Sequence, residues 1–158
     1  MRIHALSRSH ELEGTPDDVF PFFADAFALE SITPPLLRFG VITPGPIDIR
    51  TGTVIQYAMR LHGVPMNWIS SIQGWDPPRA FTDTQIRGPF RLWHHTHTFE
   101  PLSGGRTLMR DEVRYALPLG RLGSLAHPFV RRDLERIFDY RASVIADRLV
   151  ERAGAGHR

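Results

Sequence analysis

Two histidines on one predicted strand are the residues of this chain best suited to chemistry. In the segment from Arg91 to Glu100, His95 and His97 alternate with Trp93 and Phe99 on one face of an extended backbone. An imidazole titrates near neutral pH, so it can move a proton or orient a carbonyl or hydroxyl group of a bound molecule. The spacing therefore predicts a polar cluster on an otherwise apolar face of a sheet.

Two aspartates on neighbouring predicted strands have the same parity as these imidazoles. Asp83 alternates with Gln85 on one strand, and Asp111 alternates with Tyr115 on another. Side chains on one face of adjacent strands lie close enough to interact, so we expect the carboxylates to meet the imidazoles across the sheet. The candidate catalytic residues are His97, His95, Asp83 and Asp111.

The cluster is open to several interpretations. Inward polar side chains often satisfy one another as a buried network that fixes strand register, without any ligand. The same groups serve equally well as polar anchors of a ligand cavity, or as general acids and bases. The His95-x-His97 spacing with a nearby carboxylate also resembles a metal site, but no second sequence feature completes a ligand set, and we expect no metal.

Large aromatic residues and one arginine accompany the cluster. Aromatic rings at alternating strand positions form either cavity walls or plain core. Arg141 falls in the apolar stripe of the last predicted helix, where a guanidinium requires a carboxylate partner, an anionic ligand group or a route to solvent. The candidate ligand-binding residues are Tyr57, Trp68, Asp83, Gln85, Trp93, His95, His97, Phe99, Tyr115 and Arg141.

The elements that position these residues follow from periodicity and breakers. Residues 2–13 alternate weakly and are predicted as a first strand. Thr15-Pro16-Asp17-Asp18 combines a capping hydroxyl, a proline and two carboxylates, which indicates a helix start. The helical pattern continues to Leu29 and stops at Thr33-Pro34-Pro35, so one broken helix or two short helices are expected.

From Leu36 to Tyr115 the period is two, with turn residues at short intervals, which predicts an antiparallel meander. After Pro118 the pattern becomes helical again. Pro128 is expected in the first turn of the main helix, after a separate or kinked lead-in. We expect residues 1–152 to form one domain, and residues 153–158 to form a frayed tail.

Composition excludes several classes of protein. The 158 residues are 42% hydrophobic and 23% charged, which is typical of an ordinary globular domain. Cysteine is absent, which removes disulfides and thiolate sites, and the basic residues are all arginine, spread along the chain with a net charge of only +2. We therefore expect no nucleic-acid partner. No glycine-rich phosphate loop or dinucleotide fingerprint is present, and no cofactor is expected.

The N-terminal residues lack the apolar stretch of a secretion signal, and no apolar run approaches the roughly 20 residues of a membrane span. We therefore expect a cytoplasmic protein with no membrane span. The sequence does not indicate its oligomeric state.

The order of strand, helix pair, long meander and C-terminal helix resembles the START-like superfamily, also called SRPBCC. Several segments are similar to a bacterial branch labelled cyclase/dehydrase-like or cell-division-inhibitor-like. They are Ile32-Thr33-Pro34-Pro35-Leu36, Trp75-Asp76-Pro77-Pro78, Phe81-Thr82-Asp83-Thr84-Gln85, Gly88-Pro89-Phe90, residues 93–99, residues 111–115 and residues 137–141.

The resemblance implies an α+β helix-grip fold, in which a curved antiparallel sheet wraps a long C-terminal helix. It also implies an internal cavity between sheet and helix that binds a small hydrophobic or polycyclic metabolite. Two alternatives stay open at this point. One is a polyketide cyclase/dehydratase-type enzyme with a pocket histidine as general acid/base, and the other is a partner-binding regulator of the cell-division-inhibitor type.

Overall fold

The fold is a seven-stranded antiparallel sheet that curls around a long C-terminal helix, as predicted. The computed structural model describes residues 1–155. The strands lie in the order β1-β7-β6-β5-β4-β3-β2. The elements are β1 (His4–Glu13), α1 (Pro16–Phe23), α2 (Ala28–Ser31), β2 (Gly40–Val41), β3 (Val54–Leu61), β4 (Val64–Asp76), β5 (Ala80–Arg87), β6 (Leu92–Leu102), β7 (Arg106–Ala116) and α3 (Gly120–Ala155).

The first helix begins where the sequence indicates. Pro16 is the first helical residue, and the Asp18 carboxylate accepts hydrogen bonds from the Thr15 backbone N–H at 2.8 Å and from its hydroxyl at 2.7 Å. A carboxylate in the first turn also faces the positive end of the helix dipole. The predicted helix pair is confirmed: α2 ends at Ser31, shortly before Pro34.

The strand pairing brings the polar candidates together. Asp83 on β5 lies opposite His95 on β6, and His97 on β6 lies opposite Asp111 on β7. His95, His97 and Asp111 are all buried on the concave face. The parity assigned from the sequence is therefore correct for these three strands.

The last helix differs from the prediction at both ends. It runs without interruption from Gly120, so Pro128 lies inside it and does not start it. Pro128 is exposed, and water can hydrogen-bond the carbonyl group that proline leaves without a donor. At the other end the helix continues to Ala155, beyond the domain boundary expected at residue 152, and residues 156–158 of the predicted tail lie outside the described residues.

Two further expectations need adjustment. The predicted meander starts later than Leu36, because β2 has only two residues and regular pairing resumes at Val54. The apolar stripe of α3 buries Leu134, Phe138 and Ile145, whereas the first turns of the helix leave large apolar side chains exposed. The exposed side chains are Leu122, Leu125 and Phe129.

The buried Thr107 hydroxyl links β7 to the turn before α1, and its removal tests this connection. The hydroxyl donates to the Gly14 carbonyl at 2.8 Å, and Thr107 has 0% exposed surface. Thr107→Val keeps the shape but leaves the carbonyl unpaired, so we expect the free energy of unfolding to fall by about 1–2 kcal/mol in urea denaturation. Thr98→Val, on a half-buried β6 position, is the matched control and should change it by less than about 0.5 kcal/mol. Equal effects would contradict this role.

Candidate ligand cavity and histidine–aspartate cluster

A cavity of about 170 Å³ lies between the concave face of the sheet and α3. Its walls are mainly apolar and include Tyr57, Trp68 and Trp93 from the sheet, and Phe138 from the helix. Side chains of α1 and α2 add to the lining. The few polar groups on the lining are concentrated where β5, β6 and β7 face α3, which is the arrangement of a pocket that orients a ligand.

The polar part of the lining is a cluster of two imidazoles and two carboxylates. Asp111 lies between the histidines, with its Oδ1 atom 2.8 Å from His95 Nε2 and 2.9 Å from His97 Nδ1. Asp83 lies on the other side of the rings, with its Oδ2 atom 3.3 Å from His97 Nε2 and 3.7 Å from His95 Nδ1. Each ring therefore has one nitrogen facing Asp111 and one facing Asp83.

The contacts of Asp111 are not equivalent. The contact with His95 Nε2 is a hydrogen bond, whereas His97 Nδ1 is out of line and finds no hydrogen-bond partner despite its short distance. Asp111 Oδ2 is also buried without a partner. Unpaired buried polar atoms are uncommon in folded proteins, and they concentrate at functional sites. The cluster is therefore only partly satisfied by its own hydrogen bonds.

Burial and charge act against each other on the protonation of the cluster. Burial alone raises the pKa of Asp111, but the hydrogen bonds and charges of His95 and His97 outweigh it, and the pKa of Asp111 is lowered. The pKa of Asp83 is lowered in the same way, with His97 as the main partner. Both carboxyl groups are therefore ionised at neutral pH.

The two imidazoles shift in opposite directions. Burial lowers the pKa of His95, and the neighbouring charge of His97 lowers it further. Burial also opposes the charged form of His97, but the contributions of Asp111 and Asp83 together exceed it, and the pKa of His97 is raised. Neighbouring groups whose pKa values separate in this way differ in protonation over a range of pH, which is the property that an acid and base pair needs.

Arg141 places a guanidinium on the helix side of the cavity without a close ionic partner. Its Cζ atom lies 5.0 Å from the centre of the Phe138 ring, and its Nε atom is buried without a hydrogen-bond partner. Among the described residues, no carboxylate oxygen lies within the 4.0 Å of an ion pair with it. Burial lowers the pKa of Arg141, and the charges of Asp111 and Asp83 oppose this shift. Of the alternatives left open by the sequence, a direct ion pair is therefore absent among the described residues, and the two aspartates attract Arg141 over a longer distance.

Eight of the candidate residues line the cavity: Tyr57, Trp68, Asp83, Trp93, His95, His97, Asp111 and Arg141. The other three are engaged elsewhere. Gln85 holds the backbone of Phe90 through its amide, Phe99 packs against Phe20 and Phe23, and the Tyr115 hydroxyl lies 3.1 Å from His127 Nε2. Trp68 lines the cavity with its indole N–H bonded to Ser70 Oγ at 2.9 Å.

Part of the lining was not singled out from the sequence. Phe22, Ala26 and Leu29 from the helix pair, and Phe39 and Ile49 from the following loop segments, contribute apolar surface. Helical spacing identifies the first three as a buried face, but no local signal shows which element that face covers. The loop residues lie outside any periodic pattern.

Comparison with known proteins assigns the family. Residues 12–139 match the family described as polyketide cyclase / dehydrase and lipid transport, and the chain belongs to this family. Among curated proteins, none matches the chain. No helix among residues 1–155 is both long and apolar enough to cross a membrane.

Several solved structures share the fold at low sequence identity. The Zhui aromatase/cyclase from a Streptomyces species has a TM-score of 0.69 and 16% identity, over 99% of this chain and 97% of that one. Norcoclaurine synthase from Thalictrum flavum has a TM-score of 0.70 and 13% identity, over 96% of this chain and 97% of that one. A START superfamily protein from Mycobacterium smegmatis has a TM-score of 0.68 and 13% identity, over 92% of this chain and 99% of that one. These similarities establish the START-like helix-grip fold.

Asp111 should stabilise the fold more than its neighbour Glu112, although both are carboxylates on β7. Asp111→Asn removes the charge that faces two buried imidazoles, and we expect the free energy of unfolding to fall by about 1–3 kcal/mol in urea denaturation. Glu112→Gln is the control, because Glu112 is exposed and bonds only Arg114. A change below about 0.5 kcal/mol is expected there. Indistinguishable midpoints for the two variants would show that the buried contacts of Asp111 contribute nothing.

Proposed function

We propose that the protein binds a compact, mainly apolar molecule that carries one anionic or strongly hydrogen-bond-accepting group. The observation that carries this proposal is the buried Nε of Arg141, which has no partner in a cavity whose walls are otherwise mainly apolar. A buried N–H group without an acceptor is costly, so a ligand that supplies an acceptor to Nε gains more from this group than from a solvated arginine.

The size of the cavity restricts the ligand. Its volume of about 170 Å³ is close to that of an engineered apolar cavity of about 150 Å³ that binds benzene. Pockets for larger organic ligands generally measure roughly 300–1,000 Å³. A molecule with one or two rings therefore suits the cavity better than the polycyclic metabolite that the resemblance suggested.

The apolar walls and the polar groups of the cavity contact different parts of the ligand in this proposal. In this proposal Tyr57, Trp68 and Trp93 contact the ring system, and Arg141 meets the acceptor group at the helix side. The face of the cluster made by Asp83, His95 and His97 lies along the same wall of the sheet. It provides a second polar position for a hydroxyl or carbonyl group of the ligand.

A polyketide cyclase/dehydratase-type enzyme is the second candidate, and the split between the two imidazoles favours it. His95 as the base and His97 as the acid would move the protons of an aldol closure or of water loss on a carbonyl compound. The family description and the fold shared with an aromatase/cyclase also support this candidate. The cavity volume favours a short substrate over an extended poly-β-keto chain.

Replacing Arg141 should remove a preference for anionic ligands. We expect 2-naphthoate to bind more tightly than the neutral 2-naphthamide in calorimetric titration. Arg141→Met should lower the affinity for 2-naphthoate about 10-fold to 100-fold, because charge-assisted hydrogen bonds contribute about 1.5–3 kcal/mol. The affinity for 2-naphthamide should fall less than the affinity for 2-naphthoate in this variant. Arg136→Met is the control, because Arg136 lies exposed on the same helix.

Two results would contradict the proposal: equal affinity of the two compounds for the wild-type protein, or unchanged affinity of 2-naphthoate for Arg141→Met. Native mass spectrometry of gently purified protein provides a second measurement that does not depend on the chosen probe. A co-purifying compound that is present with the wild-type protein and lost with Arg141→Met would support the anchor role.

A further inference from the structure

Three donor atoms in the cluster converge on one point of the cavity wall. Asp83, His95 and His97 each offer one ligand atom, and these three atoms lie within 4.8 Å of one another. Asp83 Oδ2 is 3.3 Å from the His97 nitrogen and 3.7 Å from the His95 nitrogen. The second distance is too long for a hydrogen bond, and the first is at the weak end. Two ligand atoms that share an ion at about 2.1 Å are separated by roughly 3.0–3.5 Å, and these distances are close to that range.

The orientation of the rings is set from behind by Asp111. Its Oδ1 atom faces the other nitrogen of each ring, at 2.8 Å from His95 Nε2 and 2.9 Å from His97 Nδ1. Metal-bound histidines nearly always have a carboxylate or carbonyl at the second ring nitrogen, which fixes the tautomer and turns the first nitrogen toward the ion. Here one buried carboxylate faces the second nitrogen of both rings, with a hydrogen bond to His95 and a short, out-of-line contact to His97.

The tautomer that Asp111 selects for His95 leaves a lone pair facing the Asp83 carboxylate, and this arrangement is favourable only with a positive charge nearby. An ionised carboxylate accepts hydrogen bonds, so His95 donates from Nε2, and its neutral ring presents the lone pair of Nδ1 toward Asp83. A lone pair facing a carboxylate oxygen is repulsive unless a cation lies near both. A proton on His97 Nε2 interacts with Asp83 but not with His95 Nδ1. A metal ion between the three residues would contact a donor atom of each.

We propose that Asp83, His95 and His97 bind one divalent transition-metal ion in the cavity, with Asp111 as the residue that positions both histidines. Two imidazole nitrogens and one carboxylate oxygen suit Zn²⁺ or Fe²⁺ and leave coordination positions open to the cavity. The two carboxylates balance the ion, and Arg141 then leaves a positive charge for an anionic group. The site does not depend on the organic ligand proposed above.

The experiment is a titration of the chelator-treated protein, residues 1–158, with Zn²⁺ by calorimetry and with Co²⁺ by visible absorption. We expect one ion per chain and the ligand-field bands of a low-symmetry Co²⁺ site with nitrogen ligands. Asp83→Asn should weaken Zn²⁺ at least 100-fold. Asp111→Asn should weaken it about 10-fold to 100-fold, as loss of such a positioning partner does.

Two variants control for other histidines. His94→Gln alters the outward-facing neighbour on β6 and should leave Zn²⁺ affinity unchanged. His4→Gln with His127→Gln removes the stacked pair whose ring centres lie 3.6 Å apart, and should also leave it unchanged. Circular dichroism verifies the fold of each variant.

The proposal is overturned if the wild-type protein takes up no stoichiometric ion. It is also overturned if Asp83→Asn binds Zn²⁺ as tightly as the wild type, or if binding disappears with the His4 and His127 pair. Should the Asp83 variant fail to fold, the Co²⁺ spectrum of the wild-type protein decides, because absence of ligand-field bands at one equivalent excludes a buried site with nitrogen ligands.

Discussion

The buried carboxylate of Asp111 is the interaction on which the inner face of this protein depends. A carboxylate with 1% exposed surface is strongly unfavourable alone, and two imidazoles within 3 Å of one of its oxygens offset that cost. The same contact joins β6 to β7 on the concave side and fixes the rotation of both rings. The geometry of the cavity wall and the direction in which each ring nitrogen faces therefore follow from a single side chain.

Charge balance connects this carboxylate to the helix that covers it. In the metal-free protein the two ionised aspartates oppose the charges of His97 and Arg141, so the polar wall is close to neutral when both are protonated. Yet Arg141 does not approach either carboxylate closely enough to form an ion pair, and its Nε stays unpaired. The two carboxylates attract the guanidinium but do not form a hydrogen bond with its Nε atom. That N–H group is therefore available to a molecule in the cavity.

Much of the fold and part of the site follow from the sequence, because period-two alternation determines which side chains share a face. His95, His97 and Asp111 are assigned correctly by parity, and Asp83 follows as soon as β5 pairs with β6. Parity does not determine where a strand diverges from its neighbour. The pairing of β5 with β6 ends at Thr84, and Gln85 turns to the backbone of Phe90 instead of the cavity.

The other displaced candidates illustrate a second limit. Phe99 has the correct parity but lies toward the end of β6 that α1 covers, and Tyr115 lies near the beginning of α3, beside His127. Parity fixes the face of a residue, whereas the position of the helices over the sheet decides whether that face lines a cavity or fills the core. The start of α3 at Gly120 is equally a long-range property, since local sequence indicates a boundary at Pro128.

Cavity volume, more than the histidine–aspartate cluster, indicates the size of molecule that this site suits. Acid and base groups alone do not distinguish catalysis from binding, because a partly satisfied polar network serves either purpose. A volume of about 170 Å³ matches a small ring system better than a long flexible chain that must fold before it cyclises. Enlarging the cavity by separating α3 from the sheet would break the Leu134 and Phe138 contacts that hold the helix in place. A compact ligand fits the cavity without such a change, whether that ligand is only bound or is also transformed.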